Sequence, residues 1–231
     1  MLKSCRLPTH LAKGLLLIAT ILSPLANSAS AYIVISNTPN TVVGGSSLSN
    51  TIYKAIVFST GSYPSNITSL ELGLNPSTGS TLPFTGDLNI SLWSATSNAS
   101  EYEPVTQLAS TGMQSVTINS TQNLYTFEGI FDGFSLLADT PYALVLSSNA
   151  NGIKWGRNAN STPLSSDGFI FHDFSVSTDS GASWTSPSAL DNAIVMEIAV
   201  IPEPSTALMS LFFFGAATAF WLLRKQQVSA H

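Results

Sequence analysis

Cysteine is almost missing from this 231-residue sequence, with Cys5 the single copy. No disulfide can form within it, so stability must come from a packed core and hydrogen bonds. Basic residues are scarce as well. Between positions 32 and 201 only Lys54, Lys154 and Arg157 are basic, against twelve acidic residues, a formal net charge of −9. An acidic domain repels a phosphate backbone, which excludes nucleic acid as a partner class. His172 is the one histidine in that span, so with no cysteine there is no zinc ligand set. Gly-x-Ser-x-Gly elbows, dense Asp-x-Asp loops and amphipathic helical stretches are all lacking. Nothing in the residues asks for a cofactor.

What the chain does have is concentrated first at its ends. Lys3, Arg6 and Lys13 precede a short apolar run, Gly14 to Leu22, and then Ala29-Ser30-Ala31. A positive start, a short apolar segment and a small-x-small site predict a signal peptide over 1–31, cleaved by signal peptidase after Ala31. At the other end, Pro202-Glu203-Pro204 is followed by Ala207 to Leu223, 17 residues without a charge, then Arg224 and Lys225. As a helix this run spans ~26 Å, close to the hydrocarbon thickness of a bilayer. It predicts a transmembrane helix over 207–223 with Arg224 and Lys225 as a cytoplasmic stop.

This tail resembles the PEP-CTERM sorting signal, in the order Pro202-Glu203-Pro204-Ser205-Thr206, apolar run, Arg224-Lys225. The resemblance covers about 25 residues of 231, within a tail taken as 201–227. It implies a Gram-negative bacterium that makes extracellular polysaccharide. It also implies an exosortase that recognises the tail, cuts near the Pro-Glu-Pro and passes the protein from the inner membrane to the cell surface or matrix. Retention of the tail as a simple anchor is the alternative.

The middle, 32–200, reads as one β domain. Ser69 to Leu74 and Leu88 to Leu92 alternate apolar and polar residues, and Tyr142 to Leu146 is continuously apolar, as in a central strand buried on both sides. Ile52–Phe58, Ser115–Ile118, Leu124–Phe127, Phe169–Val176 and Ile194–Val200 are further strand candidates, and 37–49 reads as a loose lead-in strand. Turns are expected at Asn75-Pro76, Asp87, Asn151-Gly152 and Asp167-Gly168, and Asp132-Gly133, between Phe131 and Phe134, signals a hairpin. Eight to ten strands at this spacing predict an all-β, two-sheet, jelly-roll-like sandwich. The segments Leu88–Trp93, Leu137–Leu146 and Ser177–Trp184 give it a pattern similar to choice-of-anchor ectodomains. That resemblance implies a fold and no particular activity.

Candidate chemistry is thin. Ser177-Thr178-Asp179-Ser180-Gly181-Ala182-Ser183-Trp184 fits the Asp-box pattern, a hairpin staple found repeatedly in sialidase propellers, but it occurs once here. Asp173 follows His172 directly, so on a regular strand it points to the other face and cannot orient the ring in a Ser-His-Asp site. Glu101 and Glu103 share a face, yet Pro104 predicts a surface loop there. Asp87, Asp139 and Asp167 are compatible with a calcium site built with backbone carbonyls. Trp93, Tyr102, Trp155 and Trp184 are candidates for an aromatic platform under sugar rings, with Trp93 foremost because it lies opposite Leu88, Ile90 and Leu92. Trp155 lies between Lys154 and Arg157, a basic cluster suited to an acidic polysaccharide. The leading expectation is a non-enzymatic, exported surface or matrix protein associated with exopolysaccharide or biofilm. A carbohydrate-binding module is the second reading, and a secreted glycan hydrolase the third.

Overall fold

The computed structural model describes residues 31–37, 42–77, 79–98, 101–120, 123–149, 152–158, 163–186 and 192–201. Both terminal segments, 1–30 and 202–231, therefore lie outside the described residues, and with them the expected signal peptide (apart from Ala31), Ala29, Pro202, Glu203, Pro204, Arg224, Lys225 and the helix over 207–223. Among the described residues there is no helix long and apolar enough to cross a membrane.

The described chain is all β, with two antiparallel sheets. The first sheet holds β1 (Ala31–Ser36), β2 (Val42–Ser47), β4 (Ser65–Pro76), β7 (Asn123–Glu128), β9 (Ile153–Asn158), β10 (Leu164–Ser165) and β12 (Ile194–Val200). Its centre is β4. Leu72 pairs with Ile194 on one edge and Tyr125 on the other, so β12 and β7 flank it. Leu74 pairs with Trp155 on the β12 side, so β9 continues the row that β12 begins. Outside that row, β1 pairs with β12 and β2 with β9, and β10 closes the edge beside β1.

The second sheet runs β11 (Ile170–Ser177), β3 (Tyr53–Ser59), β8 (Pro141–Ser147), β5 (Phe84–Asn98), β6 (Glu101–Ile118). Strand β8 is buried from Tyr142 to Ser147, as its unbroken apolar run requires between β3 and β5. Alternation sorts the faces. Ile56, Phe58, Leu88, Ile90, Leu92, Leu144 and Leu146 meet Leu70, Leu72, Leu74, Ile194, Met196 and Ile198 between the sheets. Each such side chain contributes about 1.5–3 kcal/mol on burial, and this core takes the place of disulfides.

Four local expectations are corrected. Glu101 to Pro104 is not a loop but the start of β6, where Pro104 is accommodated because an edge strand need not donate a ladder bond there. Asn75-Pro76 ends β4 and Asp87 lies inside β5, because pairing with Lys154, Ile153 and Ser115 outweighs their turn preference. At Asp132-Gly133 the chain does turn, with Gly133 at φ 84°. It joins no hairpin, however, since β7 and the Leu136 bridge both return to β4.

Candidate ligand-binding site

The five-stranded sheet also has a covered outer face. Its small side chains, Ala55, Val57, Ala143 and Val145, form a second apolar cluster under Trp184, with Tyr53, Trp93, Ala95 and Tyr102 around it. Two arms reach over this face. The first is the 178–186 hairpin, held by the Asp-box residues. Asp179 accepts hydrogen bonds from the Ser183 amide (2.9 Å), the Ser183 hydroxyl (2.6 Å) and the Ser177 hydroxyl (2.7 Å). These bonds hold its carboxyl down from 3.8 to about 2. Gly181 supplies φ 89°, where a side chain would be strained, and Val176 bridges Thr185 to close the loop. The turn thereby places Trp184 edge-on to Trp93, with ring centroids 6.0 Å apart.

The second arm is the end of the β5–β6 hairpin. Register shifts at Leu92/Trp93 and Ser94/Ala95 bend it, as bulges do. Tyr102 belongs to one edge strand, yet its ring stacks on His172 of the opposite edge strand at 3.6 Å and 10°. In a flat sheet those edges stand ~19 Å apart, so the hairpin end must fold across the face.

Between the arms lies a half-open recess of about 480 Å³, lined by Tyr102, Glu103, His172, Asp173, Trp184 and Ser186 among others. A bulge makes it. The register skips between Phe171 and Asp173, so His172 is an extra residue with no β3 partner. That breaks the alternation expected from sequence, and both His172 and Asp173 line the recess. No triad results all the same. His172 Nε2 meets the Ser59 hydroxyl at 2.6 Å, but the Asp173 carboxylate is taken by the Phe174 amide (2.7 Å) and the Ser186 hydroxyl. Among the described residues, no carboxylate hydrogen-bonds the imidazole. Burial lowers the His172 pKa, so the ring is neutral at neutral pH. Among the described residues no lysine or arginine lines the recess, while Glu103 and Asp173 do. Trp184 is 8% exposed and its indole N–H is buried without an acceptor.

The other sequence candidates are dispersed. Trp93 does lie on the face opposite Leu92, but it buttresses Trp184 and its N–H is bonded to Ser91 (2.8 Å). Trp155 is corrected outright. It is 0% exposed in the core, with its N–H on the Ala193 carbonyl (3.0 Å), so it offers no face to a ligand. The basic cluster divides too. Arg157 is in register with Ile153 and Trp155, which face inward, while Lys154 falls on the outer face. Asp139 and Asp167 occupy turns that meet at Gly61, whereas Asp87 is at the far end of the sheet. Sequence reasoning missed one acidic patch. Pairing sets Glu197 and Glu128 on either side of Ser69, with Glu71 two residues along, over an open groove and not a deep cleft.

No family model matches this sequence, and no curated protein matches it.

Proposed function

We propose that this chain is an exported surface or extracellular-matrix protein whose jelly-roll-like ectodomain binds polysaccharide in the outer-face recess, without catalysis. The observation that carries the reading is the pair of arms that brings Tyr102, His172 and Trp184 around one half-open cavity. Aromatic faces beside hydroxyls and carboxylates suit sugar rings, whose C–H faces are apolar and whose rims are hydroxylated. The Glu103 carboxylate accepts from sugar hydroxyls, and Asp173, already bonded to Phe174 and Ser186, adds its remaining lone pairs. With two acids, a neutral imidazole and no cation, the recess favours a neutral polymer over an acidic one.

The rest of the life history is read from the ends. A signal peptide over 1–31 exports the chain. A PEP-CTERM tail, with its helix over 207–223, holds it in the inner membrane until an exosortase acts near Pro202-Glu203-Pro204. The mature protein then reaches the surface or matrix. Strand β1 begins at Ala31 and Ile201 bonds Pro64 (2.9 Å), so a chain cut at the two expected positions keeps the described β domain apart from Ala31.

Co-sedimentation of 32–201 with the producing cell's exopolysaccharide, at low and moderate salt, tests the proposal. Saturable binding that survives moderate salt and is weakened by Tyr102→Ala is expected. Absence of binding at both salts would leave a scaffold that acts through protein partners. Release of reducing ends from the polymer would replace the binding reading with a hydrolase. The intact mass of the exported protein tests the cuts separately.

A further inference from the structure

Lys54 is 2% exposed, inside a sandwich whose neighbouring inward side chains on β3 are Ile56 and Phe58. A lysine there loses its hydration and needs a counter-charge. It has the Ser46 hydroxyl as its hydrogen-bond partner, and among the described residues it forms no ion pair. The charge that acts on it is of the wrong sign. Arg157, inward-facing on the other sheet, adds to burial in bringing the Lys54 pKa from 10.5 to about 8. Arg157 in turn keeps a buried Nε–H with no acceptor.

A third group stands beside them. Asn192 bridges Arg157 across antiparallel strands, which puts the two side chains on one face. It is 0% exposed, and neither its amide nitrogen nor its amide oxygen is bonded. Its backbone carbonyl is used, by the Asn37 amide (2.7 Å), so the side chain alone is left over. Each buried unsatisfied polar group is costly. Arg157 and Asn192, bridged on one face, both keep such groups, and the buried Lys54 ammonium that Arg157 acts on has a neutral hydroxyl as its partner, so the three require a common explanation.

We propose that Lys54, Arg157 and Asn192 form an interior binding site for a small oxyanion, a carboxylate or an inorganic sulfate or phosphate. Its oxygens accept from the Arg157 Nε–H, the Asn192 amide and the Lys54 ammonium, while Ser46 steadies the lysine. Such bonds to charged donors are short and strong. The near-complete burial of Lys54 and Asn192 limits the ligand to a few atoms and excludes a polysaccharide chain. The site lies between the sheets and is independent of the outer-face recess, so it stands or falls apart from the glycan reading.

The test is thermal unfolding of the full chain in detergent at pH 7, with chloride replaced by acetate, sulfate or phosphate at fixed ionic strength. A saturable rise in Tm with at least one oxyanion is expected, and which one responds separates carboxylate from inorganic ligand. Lys54→Met should unfold at a higher temperature than wild type in chloride and lose the response. Should that variant fail to fold, Arg157→Gln, with anion binding measured by calorimetry, tests the same site through loss of binding. Equal rises in wild type and variants would reveal a general salt effect and overturn the site. No rise in wild type would also overturn it. Asp191 precedes Asn192 in the sequence, and a rise confined to Asp191→Asn would overturn the site by making the chain's own carboxylate the counter-ion.

Discussion

Replacing Trp184 with alanine removes the cap over the outer face of the five-stranded sheet. The side chain is 8% exposed and covers Ala55, Val57, Ala143 and Val145. Truncating a buried tryptophan typically costs about 3–5 kcal/mol. Two features lower that figure here. The site lies under a loop, so water can enter instead of an enclosed cavity forming. The indole N–H is buried without an acceptor, and removing it recovers ~1 kcal/mol or more. A loss of about 2–3 kcal/mol is expected, a large part of a stability of ~5–15 kcal/mol. Urea unfolding of 32–201 measures it as a lower midpoint at unchanged slope. Trp184→Phe keeps most of the ring and discards the N–H, so it should cost less than half as much. A Trp184→Ala change within ~0.5 kcal/mol, the range of an ordinary surface position, would refute the packing argument.

Gly156→Ala should cost about 1–3 kcal/mol by overpacking, because its new methyl would run into the buried Val42 side chain; urea midpoints decide it. His172 has a folded pKa below 6.5, so between those values the unfolded chain binds more protons. Its contribution is therefore complete above pH 6.5 and lost as pH falls, and His172→Gln should flatten that part of the stability–pH curve. Asp179 runs the same way at lower pH. Its stabilisation is present above pH 3.8 and lost as pH falls toward about 2, and Asp179→Asn should remove that acid limb along with much of the hairpin's order.

Strands were readable where the residues alternate against a single core. Leu88, Ile90 and Leu92 point inward as their spacing requires, and the Asp-box turn was readable because its bonds are local. The recess was not. Tyr102 and Trp184 stand out as aromatics, but their partner His172 arrives only through a bulge, and bulges leave no periodic trace in sequence. The basic cluster failed for a simpler reason. Residues 154 and 157 are an odd number apart, so a strand sends them to opposite faces, and Arg157's real neighbour is Lys54, about a hundred positions away in the chain. That pairing depends on how two sheets stack, which no short-range pattern encodes. Asn192 was invisible for the same reason.

The central claim is that sugar is held between the two arms, and NMR of 32–201 titrated with neutral oligosaccharide tests it most directly. His172 is the single histidine in that span, so its imidazole signals need no sorting. Saturable shifts of the His172 ring and the Trp184 indole N–H, with the Trp155 N–H unmoved, are the predicted result. Binding that leaves His172 and Trp184 unchanged would contradict the account.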